Sequence, residues 1–458
     1  MGAIVTYIVF GVSALCSPLF PYIGAMGYVW FVAMIPAFLW RYSLFDYRFE
    51  FQKYIAIATI AGFVLSGLRG LSLTSSAKIS ICGLLLYWGA STVGTFYSIE
   101  PDRSWFFLEQ ISKVFVMSLV ITKVMDSGRR VYTIIWIIIA STGWNCLEIN
   151  RDYYSRGFSN VNQDGWAFQN ANGYALIATM VSLICVSMYL SVSRWSFKIL
   201  YIGIALICVH AIFIVESRGG MLGLIAGGLI ILAISKKNFA LFASYAAALV
   251  MVLLLAGPSV VQEFTSSFGD NETLDRSASD RFIIWKGGVE LSLDYPIIGV
   301  GPWAAEKIMA SQYASQSAVA TTGRVHLHNL PLEITTGSGV PAFLGYFIFF
   351  FLPCYSLWKK RGESLGEHFN GLRVGFISAI FGYWVASFFN SGALLEIPYM
   401  IAAATIALQS LAENKILIEE ESFIDSDESE SYGIEIAEED YVFESPATES
   451  RTTESQLV

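Results

Sequence analysis

The stretch Ile212-Phe213-Ile214-Val215-Glu216-Ser217-Arg218-Gly219-Gly220-Met221-Leu222-Gly223 sets one acidic and one basic residue between two long apolar runs, at 197–215 and 219–235. Runs of roughly 17 to 25 apolar residues cross a bilayer as helices. Glu216–Gly220 is then a turn at a membrane face. Working outward, the same pattern recurs at 3–20, 22–40, 54–68, 79–97, 106–122, 131–148, 170–193, 238–256, 340–359, 371–390 and 394–412, with 54–68 short for a span. A composition of 55% hydrophobic and 14% charged residues, with mean hydropathy +0.56, excludes a soluble globular protein. Lipid cannot satisfy open backbone groups, so the spans are expected to be helices packed in one bundle. The expected class is an all-α polytopic membrane protein of about twelve transmembrane helices.

The net charge is −9, yet residues 413–458 hold 15 acidic and 2 basic residues, which leaves the other 412 residues at +4. That tail, with Glu419-Glu420-Glu421 and Glu438-Glu439-Asp440, has too little apolar content to fold and reads as a disordered cytoplasmic extension. Its Asp425-Ser426-Asp427 triplet mimics the metal-binding pair of nucleotide-sugar transferases, but an acid-rich run of low complexity is the simpler account. Cys16, Cys82, Cys146, Cys185, Cys208 and Cys354 lie in or beside apolar spans without paired spacing, and read as packing residues. The N-terminus lacks the basic flank of a cleaved signal peptide, and Met1-Gly2-Ala3-Ile4-Val5-Thr6 matches a myristoylation pattern only loosely.

Basic residues favour the cytoplasmic side of short loops. Lys123, Arg129 and Arg130, then Arg194 and Lys198, then Lys236 and Lys237, then Lys359, Lys360 and Arg361 mark four such loops. Segments 98–105, 149–169, 216–220 and 257–339 then fall on the outer face. Thirteen crossings would put Met1 outside, so one of the first three runs is expected not to cross. The division expected is N-terminal spans over 1–256, a large outer loop over 257–339, C-terminal spans over 340–412, and the tail over 413–458.

Loops as long as 257–339 without a structural task are uncommon, so function is expected there. Phe282, Ile283, Trp285, Val289 and Leu291 within Asp280–Leu293 are spaced as in an amphipathic helix resting on the membrane surface or on the bundle. Pro296 and Gly299-Val300-Gly301-Pro302 then force a turn. Arg218, Arg281 and His328 are the candidate site. Each also has a plain reading: Arg218 as an interfacial anchor with Ser217 capping the next helix, Arg281 paired with Asp280 or Asp275, and His326 and His328 as exposed histidines or two zinc ligands lacking a third. Asp270, Glu272 and Asp275 resemble part of a calcium loop without its glycine spacing. Asn170 and Asn172 read as helix caps. No metal and no cofactor is expected.

Taken in order, Glu216-Ser217-Arg218-Gly219-Gly220-Met221-Leu222-Gly223, Asp280-Arg281-Phe282-Ile283-Ile284-Trp285, Pro296-Ile297-Ile298-Gly299-Val300-Gly301 and His326-Leu327-His328-Asn329 resemble the O-antigen ligase and polymerase family of bacterial cell-envelope glycosyltransferases. Tyr97-Ser98-Ile99-Glu100-Pro101 and Asn170-Ala171-Asn172-Gly173-Tyr174-Ala175 also look like that family, and the early segment is similar to ligases that accompany exopolysaccharide systems. The resemblance runs from about residue 20 to 412 and implies a GT-C-like fold. It also implies an undecaprenyl-pyrophosphate-linked glycan as donor, used at the periplasmic face of the bacterial inner membrane. Its essential basic residues carry over to Arg218, Arg281 and His328. Ser217, Asn329, Trp285, Asn172 and His326 are expected to support them, although His326 matches no family position and the acidic tail lies outside the pattern.

The residue types suit such chemistry on their own terms. Guanidinium groups grip diphosphate oxygens in pairs, so two arginines can do a metal ion's work. Imidazole takes the proton of an attacking hydroxyl near neutral pH, and His328 is the base of choice. Direct displacement inverts the anomeric centre. A lipid-facing groove beside the glycines of 219–228 would hold the polyprenyl chain, the alternative being plain helix packing. Trp285, Trp303 and Tyr313 are candidate sugar-stacking rings. The acceptor is lipid A core, a polysaccharide or a protein hydroxyl, and the bilayer itself is a partner; no nucleic acid is expected. A ligase is favoured over a polymerase. A carrier or flippase for lipid-linked sugars is the reading of another class, though its charges would sit nearer the midplane.

Overall fold

The computed structural model describes residues 2–157, 161, 171–235 and 276–417. The described residues are helical and contain no strand. In chain order the helices are α1 (Gly2–Cys16), α2 (Pro21–Met34), α3 (Phe51–Leu65), α4 (Ser75–Phe96), α5 (Pro101–Val124), α6 (Gly128–Arg156), α7 (Ala171–Ser191), α8 (Trp195–Ile214), α9 (Arg218–Ile234), α10 (Arg276–Asp294), α11 (Leu330–Lys359), α12 (Glu367–Ser387) and α13 (Glu396–Glu413), with shorter turns between them. Six of them, α4 to α8 and α11, contain segments long and apolar enough to cross a membrane, while α1, α2, α3 and α9 are apolar but shorter. The chain is thus a polytopic membrane protein. The expected span at 238–256, the basic pair Lys236 and Lys237, the acidic residues Asp270, Glu272 and Asp275, Asn170 and most of the tail lie outside the described residues.

Small residues let the helices approach closely. Gly83 of α4 and Gly345 of α11 sit at one crossing, where a methyl group on Gly345 would stand 2.5 Å from the Gly83 carbonyl oxygen. The glycines of α9 behave likewise: a methyl on Gly223 would lie 2.6 Å from the Gly382 oxygen of α12, and one on Gly219 3.0 Å from that of Ala386. That face is covered by protein. Of the two readings of these glycines, a lipid groove and plain helix packing, these contacts accord with packing.

α11 is broken, and its break positions the site. Gly339 adopts φ 80° and ψ 172° inside the helix, and Pro341 has no N–H to return to the carbonyl of Gly337. The carbonyls of Thr336 and Gly337 instead accept from the Val300 and Gly301 amides at 2.8 and 2.9 Å, while the Val340 amide donates to the Pro296 oxygen at 2.7 Å. Gly299, at φ 72°, lies so close that a methyl there would stand 2.5 Å from the Gly337 carbonyl carbon. The predicted turn at 296–302 is thereby threaded into the broken helix.

The two ends of the bundle differ. Tyr132 stacks on His368 at 5.3 Å, and Glu367 accepts from the Ser193 amide at 2.8 Å. The basic loops near 129–130, 194–198 and 359–361 therefore share one end. The Ile99 amide donates to Val300 at 3.1 Å, and Gly219 packs on Phe389. Segments 98–104, 216–220, 295–330 and 387–393 share the other end.

Candidate active site

Ser217 caps α9, its hydroxyl accepting from the Gly220 amide at 3.2 Å, which places Arg218 at the first helical position. Glu216 before it takes φ 52°. Next to Arg218, Gly219 meets the Phe389 side chain, and the Phe389 ring lies 5.8 Å from that of Trp285. The Trp285 indole N–H donates to the carbonyl of Leu327 at 3.1 Å, one residue before His328. An unbroken line of contacts thus joins the Arg218 turn, α10 and the histidine segment.

The helix expected over Asp280–Leu293 runs from Arg276 to Asp294. Ile284 and Leu291 are buried, whereas Phe282 and Val289 are 65% and 48% exposed. The reason is Gly287 and Gly288. A methyl on the first would come within 2.4 Å of the Tyr313 oxygen, and on the second within 2.8 Å of Leu327, so the bare backbone forms the contact surface. Arg281, Trp285 and Gly288 stand at helical spacing on one face. That face meets the histidine segment, and the charge of Arg281 acts on His328.

Residues 324–328 lie outside regular secondary structure, and their side chains alternate in burial. Val325 and Leu327 are buried, and Arg324, His326 and His328 take the other side. His328 has φ 45°, a left-handed conformation that is uncommon for a non-glycine residue. Asn329 then caps α11, its side chain accepting from the Leu332 amide at 3.1 Å. Burial, reinforced by the charges of His326 and Arg281, pushes the His328 imidazole down to about 4. His326 behaves oppositely. Its Nδ1 lies 2.8 Å from Glu306 Oε1, and that hydrogen bond raises its pKa against the effect of burial. The two imidazole rings are 5.7 Å apart.

Glu306, Arg103 and Arg324 join this segment and were not singled out from sequence, while Glu100 entered there only as part of the Tyr97–Pro101 motif. Glu306 also pairs with Arg103, and Arg324 grips Glu100 through two bonds of 2.9 Å. Burial would raise the Glu306 carboxyl, but hydrogen bonds from His326 and Arg103 hold it below its usual range. Glu333 accepts from the Trp303 indole at 2.7 Å, with Trp303 itself at φ 58°. The alternation of charged and imidazole residues at 324, 326 and 328 was the available signal. Asn172 lies within the first turn of α7, which corrects its reading as a cap, one turn before Ala175, the neighbour of Gly220. Tyr313 hydrogen-bonds Asp294. Among the described residues no group of three or more His, Cys, Asp or Glu side chains could hold a metal ion.

Residues 203–347 match the family model described as O-Antigen ligase (Wzy_C). The match takes in Ser217, Arg218, Arg281, Trp285, His326, His328 and Asn329, and the resemblance to the O-antigen ligase family is borne out over that segment. The family indicates glycosyltransferase activity of the ligase or polymerase type. No curated protein matches the chain.

Proposed function

We propose that the protein is an inverting, metal-independent glycosyltransferase that moves glycan from an undecaprenyl-pyrophosphate donor to an acceptor hydroxyl at the periplasmic face of the bacterial inner membrane. The observation that carries this reading is the contact line from the Arg218 turn through Phe389 and Trp285 to His328, with Arg281 on the connecting helix. Arg218 and Arg281 grip the diphosphate, whose charge grows as the bond to the anomeric carbon breaks; stabilisation that grows in this way raises rate as well as affinity. His328 takes the acceptor proton as the acceptor oxygen forms the new glycosidic bond, and polyprenyl pyrophosphate leaves. A neutral imidazole is the form a base requires. An anionic donor also offsets the Arg281 charge that depresses His328, so donor binding strengthens the base.

Membranes carrying the protein are expected to transfer glycan from a defined polyprenyl-pyrophosphate donor, with the product followed by mass. One added block marks a ligase, the favoured reading; a ladder marks a polymerase. His328→Ala is expected to abolish transfer and leave donor binding largely intact. Donor translocation with no new glycosidic bond would assign the chain to the carriers.

A further inference from the structure

We propose that Glu306 holds His326 as an imidazolium, so that His326 serves as a third cation beside Arg218 and Arg281 for the diphosphate of the donor. The inference rests on the donor reading above and adds to it a role for two residues that Arg218, Arg281 and His328 do not supply.

Two histidines two residues apart on one loop segment meet opposite surroundings. His326 stands at the rim, its side chain 58% exposed, with Nδ1 on a carboxylate that is itself only 12% exposed. That contact fixes Nδ1–H toward Glu306 and leaves Nε2 as a second, outward donor. His328 is more enclosed, and the charges of His326 and Arg281 act on it against that of Glu306. Environments that separate two titratable neighbours assign them different tasks. The charged ring binds anion; the neutral ring accepts a proton.

The surroundings support a fixed geometry for the pair. Glu306 sits on the short helix Ala305–Ile308, its backbone oxygen accepting from the Val325 amide at 3.0 Å, so backbone and side chain hold the same segment. Arg103 bonds Oε2, the oxygen that His326 does not use, and Arg324 approaches it at 3.7 Å. The groups facing His326 are Glu306 and Glu333, which favour its charge, and Arg103, which opposes it, with His328 5.7 Å away. Glu306 is therefore a positioning residue. It touches no substrate and acts through His326.

The test is binding of glycan-free undecaprenyl pyrophosphate to the full chain in detergent, alongside transfer kinetics. His326→Ala and Glu306→Gln are each expected to weaken binding about tenfold, the scale of one lost charge-assisted hydrogen bond, with donor KM rising and kcat changing little. His326→Lys, a fixed cation, is expected to restore affinity. Wild-type affinity should fall as pH is raised above the range in which a free histidine titrates, while the lysine variant's stays level there. Glu306→Gln also loosens Arg103, so Arg324→Gln, which disturbs the same network and leaves the Glu306–His326 contact, controls for misfolding through its thermal transition. Unchanged binding in His326→Ala, or a loss confined to kcat, overturns the inference while leaving the transferase reading standing. Failure of the wild type to bind polyprenyl pyrophosphate overturns both.

Discussion

At the residue scale, the chemistry depends on which imidazole is neutral. His328 is pushed down to about 4 by burial and by the charges of His326 and Arg281, so it is unprotonated throughout the range in which a free histidine, near 6.5, would titrate. Protonation is what disables a base, so kcat/KM, which reports the unliganded enzyme, should keep its acid limb near 4 instead of near 6.5. Removing a neighbouring cation relieves the depression. Arg281→Gln is therefore expected to move that limb upward by about a unit, besides weakening donor binding, in pH profiles run under subsaturating donor. A limb unmoved in the variant would mean that another group titrates. Arg218, Arg281 and His328 were singled out from sequence as candidates through the order of their motifs along the chain, since each alone has a plain reading as an anchor, a loop ion pair or an exposed histidine. Glu306 and Arg103 were not, since a carboxylate 200 positions from its guanidinium partner leaves no trace in local spacing.

At the element scale, the broken helix α11 decides where the site residues stand. Its first segment begins at the Asn329 cap directly after His328, and the break at Gly339 frees the carbonyls that hold Val300 and Gly301. Alanine at Gly339 would have to keep φ 80° and would place its methyl 2.1 Å from the Ile297 oxygen. We expect Gly339→Ala to cost about 2 kcal/mol or more and to reduce transfer, read as an earlier thermal transition in detergent together with lost activity. A stable, active variant would show that the two segments can rejoin as one helix without moving the site. The sequence made the turn at 296–302 visible through its proline and glycines, but not its partner. The amphipathic helix was likewise legible in extent, but the part of Gly287 and Gly288 in its packing was not, because they contribute contact surface without adding hydrophobicity. Apolar counting favours Phe282 and Val289, the exposed side.

At the scale of the whole molecule, the proposed orientation follows from the Lys and Arg residues of the short loops. Lys359, Lys360 and Arg361 stand at the end that also holds the loops of Arg129, Arg130 and Arg194. Arg130 and Lys360 there have acidic neighbours, Asp126 and Glu363, in exposed pairs of small worth. At the opposite end Arg103 is tied to Glu306 and Arg324 to Glu100. The positive-inside rule counts short loops and assigns the first end to the cytoplasm. Two cysteine substitutions test this. Thr322→Cys lies in the exposed turn before Arg324, and Ser364→Cys in the exposed loop between α11 and α12. An impermeant thiol reagent applied to intact cells, with the native cysteines measured as background, should label the first directly and the second only after the membrane is permeabilised. The reverse pattern would put Arg281 and His328 on the cytoplasmic side, where the proposed periplasmic transfer has no place.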